Sequence, residues 1–551
     1  MRVSWGLAAL VALGRPVLGQ YQIWDIWQTV WDRSKLYTSL KPSQPINFGS
    51  PGAIGAADID VDDTSTYQSV WGLGGGLTDS SALILNNLKN TNPTNYNALL
   101  HTLFDPTDGA QAAGLTFVRI PIGASDFSAR DYSLDDVSGD TGFNQFNINN
   151  APSYLFSVLK DIHAINQYLR IIITPWSPPA WMKSSGTMNG GSMNTGLVTQ
   201  YATYLLKAVQ GFQNQGFTPY GISIQNEPEN SNPSYPTCTM PVNIMAQVGT
   251  TLRTLLNNNG LSYVKVLGYD HNWDDAANYP VQLMQQAGNA FDGVQFHCYA
   301  GDVSQQNTFH TQYPQKEIYF TECSGTYGSD WWSDIKWYMN ELFIGAFEYN
   351  AHSALMWNIA LDGNGNPKLP GTTSCGGPGC RPIATVNSDG SYSLNQEYYS
   401  MAQASRAILP RDVNGPWGKR IGVSVGGELN WALRVGAYVT GRVSSTDWLR
   451  YSLVVLNWCA SPPSFAYEVA DDMVWRMCRD DSASTTWNPQ PVQATIEFRG
   501  TQATYTFPVG VTTLWWYAPP TSVQSNGTEA EFDGAIYNDA HGEQQPMAAF
   551  H

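Results

Sequence analysis

Eight apolar runs recur in order between Val70 and Ile359, and their number and spacing constrain the fold more than any other feature of the chain. They are Val70–Leu77, Leu115–Ile122, Arg170–Trp176, Tyr220–Gln225, Val264–Tyr269, Gly293–Tyr299, Ile318–Thr321 and Ala354–Ile359. Most lack the apolar–polar alternation of a half-exposed strand, and strands buried on both faces belong to parallel sheets covered by helices. The stretches between them carry a helical period. Tyr201, Tyr204, Leu205, Ala208, Val209 and Phe212 recur at spacings of three and four, with Gly216 where a helix would stop. Ile244, Val248, Leu252, Leu255 and Leu256 repeat the pattern before Gly260, and Thr78 and Asp79 are placed to cap a helix through Leu83, Leu85 and Leu88. The pattern predicts an α/β fold, a (β/α)8 TIM barrel over residues 68–393.

A chain of 551 residues has room for a second module. Over residues 394–519 the texture changes to short alternating runs such as Leu453-Val454-Val455-Leu456 and Thr495-Ile496-Glu497-Phe498, which predict an attached antiparallel β-sandwich. Residues 20–67 are too few for a domain and are expected to add strands to it. Arg2, the apolar run Val3–Leu13 and small residues near Val17 and Gly19 read as a signal peptide over residues 1–19, hence a secreted, extracellular protein. No other stretch approaches the roughly 20 apolar residues of a membrane span. Residues 520–551 form a polar tail with the sequon Asn526-Gly527-Thr528.

Composition narrows the ligand. Aromatic and charged residues each make up 13% of the chain, with 20 Trp and 29 Tyr, and wide rings among few charges suit the C–H faces of sugars or the filling of a large core. The net charge of −17, without any basic run, argues against nucleic acid or an anionic surface. The eight His show no paired ligand spacing, and Gly74-Gly75-Gly76 lacks a nucleotide-binding context, so no metal and no cofactor is expected. The chain is expected to be a monomer. Cys375 and Cys380 bracket a short loop and are expected to pair; Cys298 and Cys323 read as small buried hydrophobes.

The chemistry is read from two words. Ile224-Gln225-Asn226-Glu227-Pro228 and Tyr319-Phe320-Thr321-Glu322-Cys323 each place a glutamate where an apolar strand stops, and barrel enzymes work at the C-terminal ends of their strands. Two carboxyl groups facing one another can protonate a leaving oxygen and stabilise positive charge at an anomeric carbon. A separation of about 5 to 5.5 Å fits a retaining reaction, and roughly 6.5 to 9.5 Å an inverting one.

With these words, Gly72-Leu73-Gly74-Gly75-Gly76-Leu77-Thr78-Asp79, Val118 to Ser128 and Thr174 to Lys183 resemble glycoside hydrolase family 30, in order from about Trp71 to Ala360. The resemblance implies that Glu227 is the acid/base and Glu322 the nucleophile. It further implies that Asn226 binds the 2-hydroxyl of the sugar, that Asp126 and Trp176 hold its other hydroxyls, that Trp357 floors the site and that Tyr299 lies near the nucleophile. His297 reads equally as a substrate contact or a support for one, Arg119 as a buried ion-pair partner that orients the carboxylates, and Trp176 and Trp357 alternatively as core. Glu227 should then titrate above Glu322, raised by its neighbour's charge. His297-Cys298-Tyr299 departs from the His-Trp-Tyr of the glucosylceramidase subgroup, while the loops Ser184–Gly191 and Cys375–Cys380 look like the fungal endo-β-1,6-glucanases. That subgroup implies a secreted enzyme acting on β-linked glucan. β-1,6-galactanase, xylanase and glucosylceramidase-like activities are the rivals within the family, and a dead carbohydrate-binding barrel is the rival outside it.

One stretch breaks the β texture. Residues 459–479 are either an atypical loop insertion or an unspliced intron translated in frame. Peptide mapping of the expressed protein decides: a peptide containing Phe465 to Glu468 establishes the insertion, and one joining Trp458 directly to Asp480 establishes the splice.

Overall fold

The computed structural model describes residues 21–458 and 490–521. The expectations for residues 1–19, 459–479 and the tail beyond Thr521 lie outside the described residues. All eight apolar runs form strands: Gly72–Gly76, Phe117–Ile122, Arg170–Pro175, Gly221–Ser223, Lys265–Asn272, Gly293–His297, Glu317–Glu322 and Ala351–Met356. They close in sequence order into a barrel with every neighbouring pair parallel, the last strand beside the first. Phe117, Ile172, Leu267, Tyr319 and Leu355 project into its lower interior as one buried layer, so the barrel is a packed core with its chemistry confined to the mouth.

The helices follow the periodicity. Val198–Asn214 buries Tyr201, Tyr204, Leu205, Ala208, Val209 and Phe212 and ends before Gly216, whose φ of +92° is the left-handed turn glycine permits. Val242–Asn258 ends likewise before Gly260. Thr78 Oγ1 accepts the Ser81 amide at 3.0 Å and caps Asp79–Thr91.

The second module is one sheet whose central order is Thr38–Ser39, Gln22–Val30, Gly510–Ala518, Leu449–Asn457, Leu433–Thr440, Gly418–Gly426, Ala57–Ser69, Val492–Phe498 and Thr501–Phe507. The first described strand thus lies along the last, nearly five hundred residues away, in antiparallel register. Phe498, near one end of this order, packs against Tyr451 at 4.8 Å and Trp516 at 5.2 Å from its middle. The sheet therefore curls onto itself as a two-layered sandwich with its own core. The expected antiparallel pairing holds except between Ala57–Ser69 and Val492–Phe498, which run parallel. Long connections join those strands, so no hairpin fixes their direction.

A helix, Gln396–Ile408, joins the modules where only strands were read, and nearly every residue in it is buried. A stripe of apolar residues cannot serve two faces, so polar side chains do much of the docking. Gln403 donates to Thr29 Oγ1 at 3.0 Å, Thr513 Oγ1 donates to the Gln403 carbonyl at 2.8 Å, and Arg406 Nε donates to Tyr37 Oη at 2.9 Å. Among the described residues no helix is long and apolar enough to cross a membrane.

Phe498 joins both layers of the sandwich and is fully buried. Phe498→Ala is expected to lower unfolding free energy by about 3–5 kcal/mol, read as a lower denaturant midpoint at unchanged slope.

Candidate active site

Both glutamates reach the barrel mouth through local departures from regular strand. The fourth strand ends at Ser223, yet its backbone stays zipped to both neighbours: the Asn226 amide donates to Pro175 O at 2.8 Å and the Glu227 amide to Asp270 O at 2.9 Å. Glu227 has φ +44°, a left-handed conformation that non-glycine residues seldom adopt and that persists only where surrounding bonds enforce it. On the seventh strand a register shift places Glu322 opposite His297.

One carboxylate oxygen of Glu227 and one of Glu322 lie within 4.8 Å of each other. That approach fits the retaining spacing and leaves no room for the water of an inverting reaction. An imidazole nitrogen of His297 completes this cluster within the same limit. The three donors could hold a cation, but the positive charge beside them is already supplied by side chains.

Arg119, buried on the second strand, supplies part of it. Its Nη1 donates to Glu322 Oε2 at 2.5 Å, and its Nη2 to Asn226 Oδ1 at 2.6 Å and Asp270 Oδ2 at 2.9 Å. Trp176 lies over the guanidinium at 4.7 Å and Trp357 at 5.8 Å. Arg119 is therefore the expected ion-pair partner, and it carries a direct bond to the nucleophile candidate.

Asp270 was not singled out in the sequence, although it follows the fifth apolar run as the two glutamates follow theirs. Its buried carboxylate accepts from Arg119, from Ser223 Oγ at 2.9 Å, from Thr321 Oγ1 at 3.0 Å and pairs with His297 Nε2 at 2.9 Å. Burial alone would raise its pKa, but Arg119 and His297 hold it well below the usual carboxylate range. A bulge aims it inward: Tyr269 and Asp270 both have positive φ, and the register with the sixth strand slips there.

His297 bridges the two acids, with Nδ1 3.2 Å from Glu227 Oε1 and Nε2 on Asp270. Burial works against its charge, but Glu322, Asp270 and Glu227 together push its pKa up to about 9. Glu227 is correspondingly held at about 2: burial raises it, and the His297 hydrogen bond and charge, the His271 charge and Asn230 overcome that. Glu322 is raised, chiefly by burial, against the lowering charges of His297 and Arg119. The expected order, acid above nucleophile, is thus reversed in the free protein. His297 is biased toward its protonated form and Glu227 toward its ionised form, and the hydrogen-bonded pair shares one titration.

The remaining residues wall this centre. Tyr299 donates its phenol proton to Glu322 Oε1 at 2.9 Å, although the residue is 46% exposed. Trp176 and Trp357 stack on each other at 5.0 Å, both nearly fully buried, in a small cluster with Phe127. Gly76 makes that possible, because a Cβ there would lie 2.5 Å from the Trp357 ring. Asp126 accepts from Ser374 Oγ at 2.6 Å and leaves its buried Oδ1 without a partner, a vacant acceptor. Burial pushes its pKa up to about 7. Asn230, also unforeseen, donates to Glu227 Oε2 at 2.8 Å and to Tyr235 Oη at 3.1 Å.

The structure corrects the reading of two cysteines. Cys298 and Cys323 are joined in a disulfide beside Glu322, while Cys375 and Cys380 form the expected one and Cys238 is free and buried. A separation of 25 residues hid the first pair, which becomes adjacent only when the sixth and seventh strands align.

Two carboxyl groups brought this close at the strand ends of a closed parallel barrel are what cleavage of a glycosidic bond requires. Residues 70–371 match the glycosyl hydrolase family 30 TIM-barrel domain, and the chain belongs to that family. It is 34% identical to an endo-1,6-β-D-glucanase of Neurospora crassa over 65% of this chain and 74% of that enzyme. It is 31% identical to the endo-1,6-β-D-glucanase neg1 of Aspergillus fumigatus over 68% and 78%. A solved structure described as an endo-β-1,6-glucanase shares the fold with a TM-score of 0.71 at 23% identity, covering 90% of this chain and 99% of that one.

Asp270→Asn removes one of the charges that sustain the His297 imidazolium. The imidazole pKa should fall from about 9 in an NMR titration, and kcat should drop by roughly 10²-fold or more.

Proposed function

We propose that this protein is a retaining endo-β-1,6-glucanase in which Glu322 is the nucleophile and Glu227 the acid/base. The observation that carries the mechanism is the approach of the two carboxylates to within 4.8 Å. Support for the linkage comes from the fungal relatives, whose names specify 1,6-β-D-glucan cleavage. A Glu322 oxygen attacks the anomeric carbon as the glycosidic C–O bond breaks, and the proton shared by His297 and Glu227 passes through Glu227 to the departing oxygen. A covalent glycosyl ester on Glu322 results. Glu227, now ionised, takes a proton from water as that water attacks the same carbon, which releases the sugar and restores Glu322.

Asn226, held by Arg119, is placed to meet the 2-hydroxyl, and the vacant oxygen of Asp126 accepts from another hydroxyl of the same sugar. Trp176 and Trp357, stacked on each other over Arg119, back that site from the barrel side. The substrate is a neutral polysaccharide, and the signal-peptide reading places the enzyme outside the cell.

Product analysis tests linkage and endo action together: pustulan should yield β-1,6-linked oligosaccharides, while xylan, galactan and glucosylceramide stay intact. Glu322→Gln should abolish turnover, and near wild-type activity in that variant removes the nucleophile assignment. The kcat/KM profile should be a bell. Activity appears as Glu322 ionises, above the ordinary glutamate range, and is lost as the shared proton leaves His297 near pH 9.

A further inference from the structure

Cys323 directly follows Glu322, and its disulfide partner Cys298 stands between His297 and Tyr299. We propose that this disulfide is a positioning element of the reaction, which keeps the Tyr299 hydroxyl on Glu322 so that the carboxylate presents one fixed face for attack. The proposal rests on the reading of Glu322 as nucleophile.

Two donors set the plane of the Glu322 carboxylate. Arg119 holds Oε2 from inside the barrel, where it is itself fixed by Asp270 and by the tryptophan above it. Tyr299 holds Oε1 from outside, and the two anchors differ in how firmly the fold grips them. The sixth strand ends at His297, so Tyr299 lies beyond the barrel ladder with about half its surface in solvent. Its backbone amide donates to Asn272 Oδ1 at 3.0 Å, its ring meets His297 edge-on at 6.2 Å, and the Cys298 amide reaches Glu322 O at a long 3.3 Å.

A half-exposed phenol with so few contacts would ordinarily sample several rotamers. The covalent bond one residue away limits how far its backbone can move from that of Glu322. The far side of the link is braced as well: the Trp357 amide donates to Cys323 O at 2.7 Å, and Cys375 Sγ lies 3.3 Å from Ser324 Oγ. Motion of the Tyr299 segment is therefore referred to a fixed point beside the nucleophile. Without the link Glu322 keeps its Arg119 anchor but can turn about its last bond, and small misplacements of a reacting group have large kinetic effects.

The test compares Cys298→Ala/Cys323→Ala, Tyr299→Phe and the triple variant. The cysteine variant should lose kcat on the order of 10-fold or more, with KM changed less than about 2-fold. Its acid limb should move to higher pH, because a loosened phenol favours the Glu322 carboxylate less. Tyr299→Phe should give a similar loss, and the triple variant no more than either, the non-additivity of one shared route. Wild-type kcat and acid limb in the cysteine variant, or losses that multiply in the triple, overturn the proposal. If the cysteine variant does not fold, the native enzyme and Tyr299→Phe are each reduced with a phosphine and assayed without alkylation, the second reporting any effect of opening Cys375–Cys380. A loss of kcat larger in the native enzyme than in Tyr299→Phe, with circular dichroism retained, supports the proposal, and unchanged kcat or an equal loss in both overturns it. A dead Glu322→Gln enzyme beside an unaffected cysteine variant rejects only the disulfide's role, whereas an active Glu322→Gln rejects the nucleophile reading.

Discussion

The buried pairing of Arg119 with Asp270 is the interaction on which the rest of the site depends. A charge in a barrel interior is tolerated only when paired and hydrogen-bonded, and both partners here are fully buried. Asp270 fills its acceptor sites with Arg119, Ser223, Thr321 and His297, four donors from four strands. The pair orients Asn226 and Glu322 through Arg119, and Glu227 through His297. Each reacting group is thus fixed by the element that neutralises its neighbour.

The charge balance has a chemical consequence. Among the linked groups Arg119 and Asp270 cancel, the Glu227–His297 pair is neutral whichever of the two holds the proton, and below about pH 7, where Asp126 keeps its proton, Glu322 remains as one net negative charge. A neutral sugar entering this centre meets an unmatched carboxylate. Positive charge developing at the anomeric carbon completes the balance, so the field favours the transition state over the ground state without rearrangement of the site.

The barrel was legible because its strands are buried on both faces, which writes continuous apolar runs into the sequence, and because Gly216 and Gly260 punctuate the helices. Glu227 and Glu322 were legible from their position at the ends of those runs. Asp270 met the same criterion and passed unnoticed, since a carboxylate after Gly268-Tyr269 carries no word like Asn-Glu-Pro. The two successive left-handed residues that turn it inward, Tyr269 and Asp270, include no glycine to signal them. The reversed order of the two pKa values was illegible for another reason. It arises from where His297 stands between three carboxylates, a spatial relation that no local pattern encodes. The parallel strand pair in the sandwich and the buried helix Gln396–Ile408 were likewise set by tertiary contacts.

In the proposed reaction the carboxylates act on the glycosidic bond, and the walls must select the polymer. Those walls are loops, yet they are held more tightly than surface loops ordinarily are. Lys183, buried after the third strand, donates to the Met188 and Thr237 carbonyls and so ties the segment after that strand to the one after the fourth. Isolated bridges Asn189 to Pro236 and Ser192 to Thr239 join the same two segments. After the eighth strand Ser374, next to the loop closed by Cys375–Cys380, donates to Asp126. A neutral polysaccharide offers no charge to steer it, so discrimination between linkages has to come from shape and from correctly placed hydroxyl partners. Cross-tied loops can supply that because their polar groups do not need to be ordered by the substrate, which preserves binding energy for the reacting bond.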